Sequence, residues 1–274
     1  MPRVLLATFA LMPDGEGGPL LVDTLARHGV EAAWAVWDDP AVDWAGADLV
    51  AARSVWDYHR RLPEFLAWAR RVEETSTLLN GAATFETNAD KAYLLDLGSV
   101  PVVPTELLHH EGLRTGLAAA LQRWGTVVVK PRTGASGVGV VVADHVDDLR
   151  LAGLTAGPWL VQPLVESVRT AGETSVYVFD GRALTQADKR PEGQEIRVQE
   201  EYGGTTVAAP LDPERGELAE RAVAAAGGAA YARVDLMHLD GWCVSEVELI
   251  EPGLYLEVLP ENADHLADVV VRHL

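Results

Sequence analysis

Only three of the 22 basic residues in this chain are lysine, Lys91, Lys130 and Lys189, and they are the first candidates for chemistry. Where arginine is the default cation, a retained lysine marks a place that wants a compact ammonium rather than a planar fork. Phosphate oxygens are such a target. Lys130 ends the apolar run TVVVK and is followed by PRTGASGVG, whose Gly134, Gly137 and Gly139 lead into a second β-rich run, VVVA. Strands on both sides exclude a P-loop, which needs G-x-x-x-x-G-K-[ST] opening a helix. The loop reads either as an ordinary hairpin or as a Gly and Ser rich flap whose backbone N–H groups close over phosphates, with Lys130 adding charge from the preceding strand. The flap is the preferred reading.

The second candidate is acidic. In ARVDLMHLDGWCVSEVELIEP the pair Asp240-Gly241 fits a two-residue type I′ turn, which makes Leu239 and Trp242 the first cross-strand pair. The same register puts Asp235 opposite Glu246 and Arg233 opposite Glu248 on one face, with Val234, Leu236, Cys243, Val247 and Leu249 on the other. Like charges held directly opposite one another destabilise a sheet. Arg233 alone is one answer, but one guanidinium balances three carboxylates poorly. A hard divalent cation shared by Asp235, Glu246 and Glu248 balances them better, and Mg2+ suits oxygen ligands completed by phosphates. Glu251 is a further acid, placed on the opposite face unless a bulge precedes Pro252.

These groups need elements to hold them. Runs 4–9, 31–36 and 48–52 read as short buried strands, alternating with helical patterns at 19–28 and 63–74, so residues 1–80 predict a small parallel α/β unit. It has no G-x-G-x-x-G turn after its first strand, which disfavours a dinucleotide site. A helix is expected over 87–97, then a Pro-bounded strand VPVVPTELL, a helix at 115–124 and the strand ending at Lys130. The segment 158–165 reads as another strand. After it, Asp180-Gly181 separates two β-rich runs and brings Glu173 and Lys189 to the same end of a hairpin. An Ala-rich helix at 214–229 and a surface helix at 260–273 complete the chain.

Composition bounds the function. The 274 residues are 48% hydrophobic and 23% charged, as in globular proteins, and the net charge of −19 argues against a partner with a phosphate backbone, so no nucleic acid is expected. No stretch approaches the roughly 20 apolar residues that span a bilayer, so no membrane is expected either, and the reading is of a cytoplasmic protein. The lone Cys243 lies in an apolar run and reads as a small buried thiol, not a nucleophile. Arg53, at the end of the third strand, suits a substrate carboxylate and Asp57 an amine; the rival reading for Arg53 is a surface-loop residue.

Taken in order, Lys91, Lys130 before a Gly-rich flap, Gln162-Pro163 and the paired acidic strands resemble the ATP-grasp superfamily. RSVWDY, NADKAYL, VKPRTGASGVG, EIRVQEEYGG and ELIEP stand in the order of its cycloserine-forming O-ureidoserine cyclo-ligase type. The resemblance spans nearly the whole chain. It implies an ATP-grasp fold of the α/β and α+β class: an N-terminal parallel unit at 1–80, a lid subdomain at 81–164 and a mixed-sheet domain at 165–274. It further implies that Lys91 and Lys130 bind ATP phosphates beneath Thr133, Gly134, Ala135, Ser136 and Gly137. Gln162, Pro163, Leu164 and Val165 would form the adenine hinge, through Gln162 and the Leu164 backbone, and Glu173 would accept the ribose hydroxyls. Lys189, Arg197 and Arg233 would act near the transferred phosphate. The chain departs from the usual last metal motif, Glu-x-Asn, in carrying Glu246-x-Glu248.

The implied activity is a carboxylate–amine ligase using ATP and Mg2+, with Mn2+ as a substitute, on a small amino-acid-like substrate through an acyl-phosphate; a cyclo-ligase is one form of it. A kinase on the same fold would share every ATP residue. A non-catalytic nucleotide sensor is the third reading, and it predicts loss of the metal carboxylates, which are present here.

Overall fold

A computed structural model describes residues 1–153 and 158–274. The first sheet is built from β1 (Arg3–Thr8), β2 (Glu31–Val36), β3 (Leu49–Ser54) and β4 (Thr77–Leu78), with α1 (Pro19–Arg27) and α2 (Leu62–Glu73) between them. Its order is β2-β1-β3-β4 and its described ladders are all parallel, as the strand and helix alternation requires. Leu5, Ala7, Val50 and Ala52 face α2 through Phe65 and Trp68. Val4, Leu6, Leu49 and Ala51 face the opposite way, onto Leu21, Leu25, Leu266 and Val270. Both faces are therefore buried, and the inner strands read as continuous apolar runs. β2 differs from expectation: it is an edge strand with much of its length half exposed.

The helix expected over 87–97 is two pieces. α3 (Ala82–Asn88) ends before Asp90, and a 3-10 helix covers Lys91–Asp96. The break has a local cause, since the Asp90 carboxylate accepts the Ala92 N–H at 2.9 Å and caps the second piece. The strand expected over VPVVPTELL shrinks to β5 (Glu106–Leu108), because the prolines remove ladder donors. A second sheet, with all its described ladders antiparallel, then follows the order β5-β8-β6-β7, formed with β6 (Val127–Pro131), β7 (Val141–Ala143) and β8 (Trp159–Pro163). The helix α4 (Leu113–Trp124) packs on it through Leu117 and Ala120.

The third sheet has the order β11-β10-β9-β12-β13 and is antiparallel throughout. Its strands are β9 (Glu173–Phe179), β10 (Arg182–Arg190), β11 (Thr205–Ala209), β12 (Tyr231–His238) and β13 (Trp242–Glu248). The β9–β10 turn has Asp180 and Gly181 both at positive φ, the type I′ requirement, and Glu173 and Lys189 reach the same end of the hairpin as expected, a register shift between Ala183 and Thr185 making them direct partners. α5 (Pro213–Ala225) covers one face, capped by Asp212. The last helix, α6 (Glu261–His273), shares its core with the first sheet. No described helix is long and apolar enough to cross a membrane.

Candidate active site

The β12–β13 hairpin reaches the expected register by an unexpected route. The turn is a three-residue loop, so His238 rather than Leu239 pairs with Trp242. Ser245 is then an extra residue, a bulge whose hydroxyl donates to the Asp235 carbonyl at 3.0 Å. Beyond it Asp235 stands opposite Glu246 and Arg233 opposite Glu248. One slip cancels the other. Between turn and bulge the faces are exchanged relative to expectation, so Val244 enters the main core and Cys243 packs with Val103 and Val165.

The three carboxylates are not balanced by one guanidinium alone. Arg233 binds Asp235 through two nitrogens, with Nη2 to Oδ2 at 2.9 Å, and reaches Glu248 at 2.5 Å. Lys189 Nζ lies 3.2 Å from Asp235 and 3.3 Å from Glu173, and Ser175 also donates to Asp235. Lys91 Nζ lies 2.7 Å from Glu246. Burial would raise the Asp235 pKa, but Arg233 and Lys189 hold it well below the usual carboxylate range. Glu246 is likewise held below its ordinary value, against burial, by Lys91 and Lys130. Burial, together with repulsion from Asp235 and Glu246, pushes Glu248 to about 7 despite Arg233. Burial and the neighbouring Glu248 push Glu251 well above the carboxylate range. The acids thus divide into Asp235 and Glu246, which protein cations hold ionised, and Glu248 and Glu251, which burial and mutual repulsion push toward the protonated form, Glu248 despite its Arg233 partner.

Lys130 is the opposite case. Burial, with Lys91 beside it, lowers its pKa despite the pull of Glu246, and among the described residues no carboxylate stands within ion-pair distance of its ammonium. The loop over it is pinned at its base: Arg132 pairs with Asp90, and the Lys91 backbone N–H donates to the Arg132 carbonyl at 2.8 Å. Lys91 Nζ also donates to the Gly134 carbonyl at 2.7 Å, and the Tyr202 hydroxyl to the Ser136 carbonyl at 3.3 Å. Ser136, Gly137 and Gly139 all have positive φ, the left-handed backbone that glycine adopts readily and that lets the loop turn tightly. A cleft runs beneath this loop. It is lined by Lys91, Lys130, Gly134 to Gly137, Gln162 to Val165, Glu173, Arg197, Arg233, Asp235, Glu246 and Glu248, with Val103, Val168, Ile196 and Met237 making an apolar end. A second cavity opens from the same wall, sharing Ala135, Ser136, Gln199, Arg233, Glu248 and Glu251.

Residues 4–80 match the family described as D-cycloserine synthetase DcsG, N-terminal domain. The cycloserine biosynthesis protein DcsG of Streptomyces lavendulae is 31% identical over 289 residues, covering 93% of each chain. The chain belongs to the D-cycloserine synthetase family of ATP-grasp ligases. The crystal structure of D-cycloserine synthetase DcsG superposes with a TM-score of 0.85 at 28% identity, over 99% of this chain and 100% of that one. The ATP-grasp ligase PsnB, solved with a precursor variant, Mg and ADP, shares the fold at a TM-score of 0.71 and 16% identity, over 98% of both chains. Membership makes this protein an ATP-dependent ligase that forms C–N bonds. The ATP-grasp fold implied by the ordered motifs is the fold observed.

Within that family fold, several expected residues stand elsewhere. Arg53 is 1% exposed and lines neither cavity; its Nη2 bonds the Pro252 carbonyl at 2.9 Å and Glu16 at 3.3 Å. Asp57 is also outside both, accepting from Trp37 Nε1 at 2.9 Å and Arg61 Nη2 at 3.0 Å. Thr133 does not line the cleft, and Lys189 is buried behind Glu173 and Asp235. Arg197 does reach the cleft, paired with Glu195 at 2.6 Å and stacked 3.6 Å from the Tyr202 ring. In the expected hinge, the Gln162 amide donates to Thr105 and the Leu164 N–H to the Thr126 carbonyl, so both of those donors are already engaged. Burial, then Asp235, raises Glu173 to about 7 against Lys189. The metal trio needs correction too. Both oxygens of Asp235 are already hydrogen-bonded, and among the described residues no three His, Cys, Asp or Glu side chains stand together at metal-binding spacing. The residues missed from sequence, Ile196, Gln199 and Tyr255, come from loops with no periodic signal.

Proposed function

We propose that the protein binds ATP with its phosphates under the 132–140 loop and activates the carboxylate of a small amino-acid-like substrate lying in the second cavity. The observation that carries this is the Lys91–Lys130 pair facing Glu246, Glu248 and Glu251 across one cleft, with Lys130 free of any described carboxylate partner. An unpaired buried cation in such a place is stabilised by an anion. The substrate carboxylate attacks the γ-phosphorus, the bond to the β–γ bridging oxygen breaks, and ADP leaves. A nitrogen nucleophile then attacks the acyl carbon and phosphate departs, closing a ring when the nitrogen belongs to the same molecule. Lys91, Lys130 and Arg233 hold phosphoryl oxygens, in keeping with chemistry that depends on positioning and charge neutralisation. The name of the Streptomyces lavendulae relative supports a cyclising reaction.

The chemistry of the acids fits a hard divalent cation. Glu246 and Glu248 put two carboxylates on one face of β13 beside the phosphate loop, so Mg2+, with Mn2+ as a substitute, would be held by these two and completed by phosphate oxygens. When bound it neutralises charge on the transferred phosphoryl group. The division at 1–80, 81–164 and 165–274 carries over as a proposal, with α6 joined to the core of the first unit.

The test is to incubate the protein with ATP, Mg2+ and a panel of amino-acid-like carboxylates, following ADP, free phosphate and product mass. The expected result is free phosphate with an amide or ring product, and trapping by hydroxylamine as a hydroxamate. A stable phosphoester with no amide would overturn the proposal.

A further inference from the structure

The strand that carries the acids is an edge strand. β13 ends the order β11-β10-β9-β12-β13, so alternate N–H and C=O groups along its outer side have no neighbouring strand to meet. Unpaired backbone groups in a buried site are costly, and an edge held on one side only can shift. Near the turn, backbone supplies the partners: Val244 N–H donates to the Pro101 carbonyl at 2.8 Å, and Val103 N–H to the Val244 carbonyl at 2.9 Å. The bulge at Ser245 changes the phase, and the outward groups beyond it belong to Val247 and Leu249. No strand reaches them among the described residues; side chains do, with Asn80 meeting only the Leu249 carbonyl past the end of β13 and two others gripping Val247. The Tyr93 hydroxyl accepts the Val247 N–H at 2.7 Å and donates to the Val247 carbonyl at 2.8 Å. The Asn88 amide donates to the Val247 carbonyl at 2.8 Å and accepts the Leu249 N–H at 2.9 Å.

Val247 lies between Glu246 and Glu248, so its two peptide planes set where both carboxylates start. The segment that grips it also carries Lys91, whose ammonium meets Glu246 and whose backbone meets the base of the loop at Arg132. We propose that Asn88 and Tyr93 are positioning residues that stand in for a sixth strand, fixing the edge of β13 so that Glu246 and Glu248 hold their places relative to Lys91 and the phosphate loop. They act through the backbone, not on the reacting atoms. This rests on the functional reading above only in what the two carboxylates are for; the mechanical claim does not depend on it.

Two variants of the full chain test it, Tyr93→Phe, which keeps the ring, and Asn88→Ala. In protein free of nucleotide and divalent cation, hydrogen exchange at Val247 should quicken about tenfold or more in Tyr93→Phe, because its N–H loses its partner, with β9 and the middle of β12 unchanged. Mg2+ binding by calorimetry and the Mg2+ midpoint of ATP turnover should both weaken about tenfold, the same loss expressed in ligand placement, while ATP affinity measured without divalent cation changes little. Asn80→Ala is the control. It removes bonds to Tyr231 and Leu249 and should lower the melting temperature without moving the Mg2+ midpoint. If Asn88→Ala does not fold, Tyr93→Phe decides alone. Val247 exchange equal to the parent, or a lowered melting temperature with an unmoved Mg2+ midpoint, overturns the proposal. A parent that turns over no ATP at all counts against the functional reading instead, since the exchange result stands without it.

Discussion

Lys130 and Glu246 face the same cleft, yet removing their charges has different consequences for the fold. Lys130 is a buried lysine with no described ion-pair partner, so Lys130→Ala relieves Lys91 and breaks no ion pair, while Glu246 keeps Lys91 and loses only the more distant pull of Lys130. The apo protein should melt close to the parent. ATP binding should weaken by about 1.5 to 3 kcal/mol, the range for a hydrogen bond to a charged group, as read by calorimetry. From the register alone Glu246 reads as a like-charge neighbour of Asp235 whose neutralisation relieves repulsion. The structure gives it Lys91 at 2.7 Å, so Glu246→Gln strands a lysine that is only 11% exposed and should cost about 1 to 3 kcal/mol in denaturant unfolding without divalent cation. Glu251→Gln should be close to neutral in the same experiment, because burial and Glu248 already favour the protonated acid. Equal losses in the two variants would contradict this division of the acids.

At the scale of the element, the β12–β13 hairpin concentrates charges whose titration is written into stability. Glu173 and Glu248 hold protons to about 7, above the ordinary 4.5, so the folded chain binds protons that the unfolded chain has released. Their contribution is fully present below about 4.5 and is lost as pH rises through about 7. Asp235, held low, acts the other way, and its contribution is lost only as pH falls below the ordinary value of 3.8. Melts of the apo protein between pH 5 and 8 should therefore decline, and Glu248→Gln should flatten the decline by on the order of 1 kcal/mol or more. An unchanged slope would show that Glu248 does not titrate there. The loop at 132–140 is tested at the same scale. On the proposed reading its N–H groups would gain phosphate partners, so hydrogen exchange at Ala135 to Gly137 should slow on addition of Mg-ATP, and unchanged exchange there would count against that reading.

Across the whole molecule, the first and third sheets share an apolar core and are tied further by polar groups. Arg53 reaches Pro252 and Glu16, Trp56 Nε1 donates to the Glu251 carbonyl at 3.3 Å, and the Tyr231 hydroxyl meets the Ala52 and Ile250 carbonyls. Arg53→Met should destabilise by about 3 kcal/mol, the cost of breaking a buried pair, with a matching fall in melting temperature. A variant that melts normally but needs more substrate would instead return Arg53 to the role of a substrate ligand.

The sequence by itself determined much of this protein. Period-two and helical patterns are local properties, so the parallel unit and the Asp180-Gly181 hairpin were legible, the Asp235–Glu246 pairing was reached only because a longer turn and a bulge offset each other, and retained lysines pointed to two that line the cleft and one buried behind it. The motif order was enough for the fold, since each motif occupies its own strand or loop along the chain. What only tertiary structure decided is which charges meet. The Ser245 bulge, the pairing of Lys91 with Glu246 across 155 positions, the sealing of Arg53 against residues nearly 200 positions away and the side-chain edge made by Asn88 and Tyr93 all join distant segments. A residue's type shows what it can do, but its burial and partners, set by distant chain packed against it, decide whether its charge is free to do it.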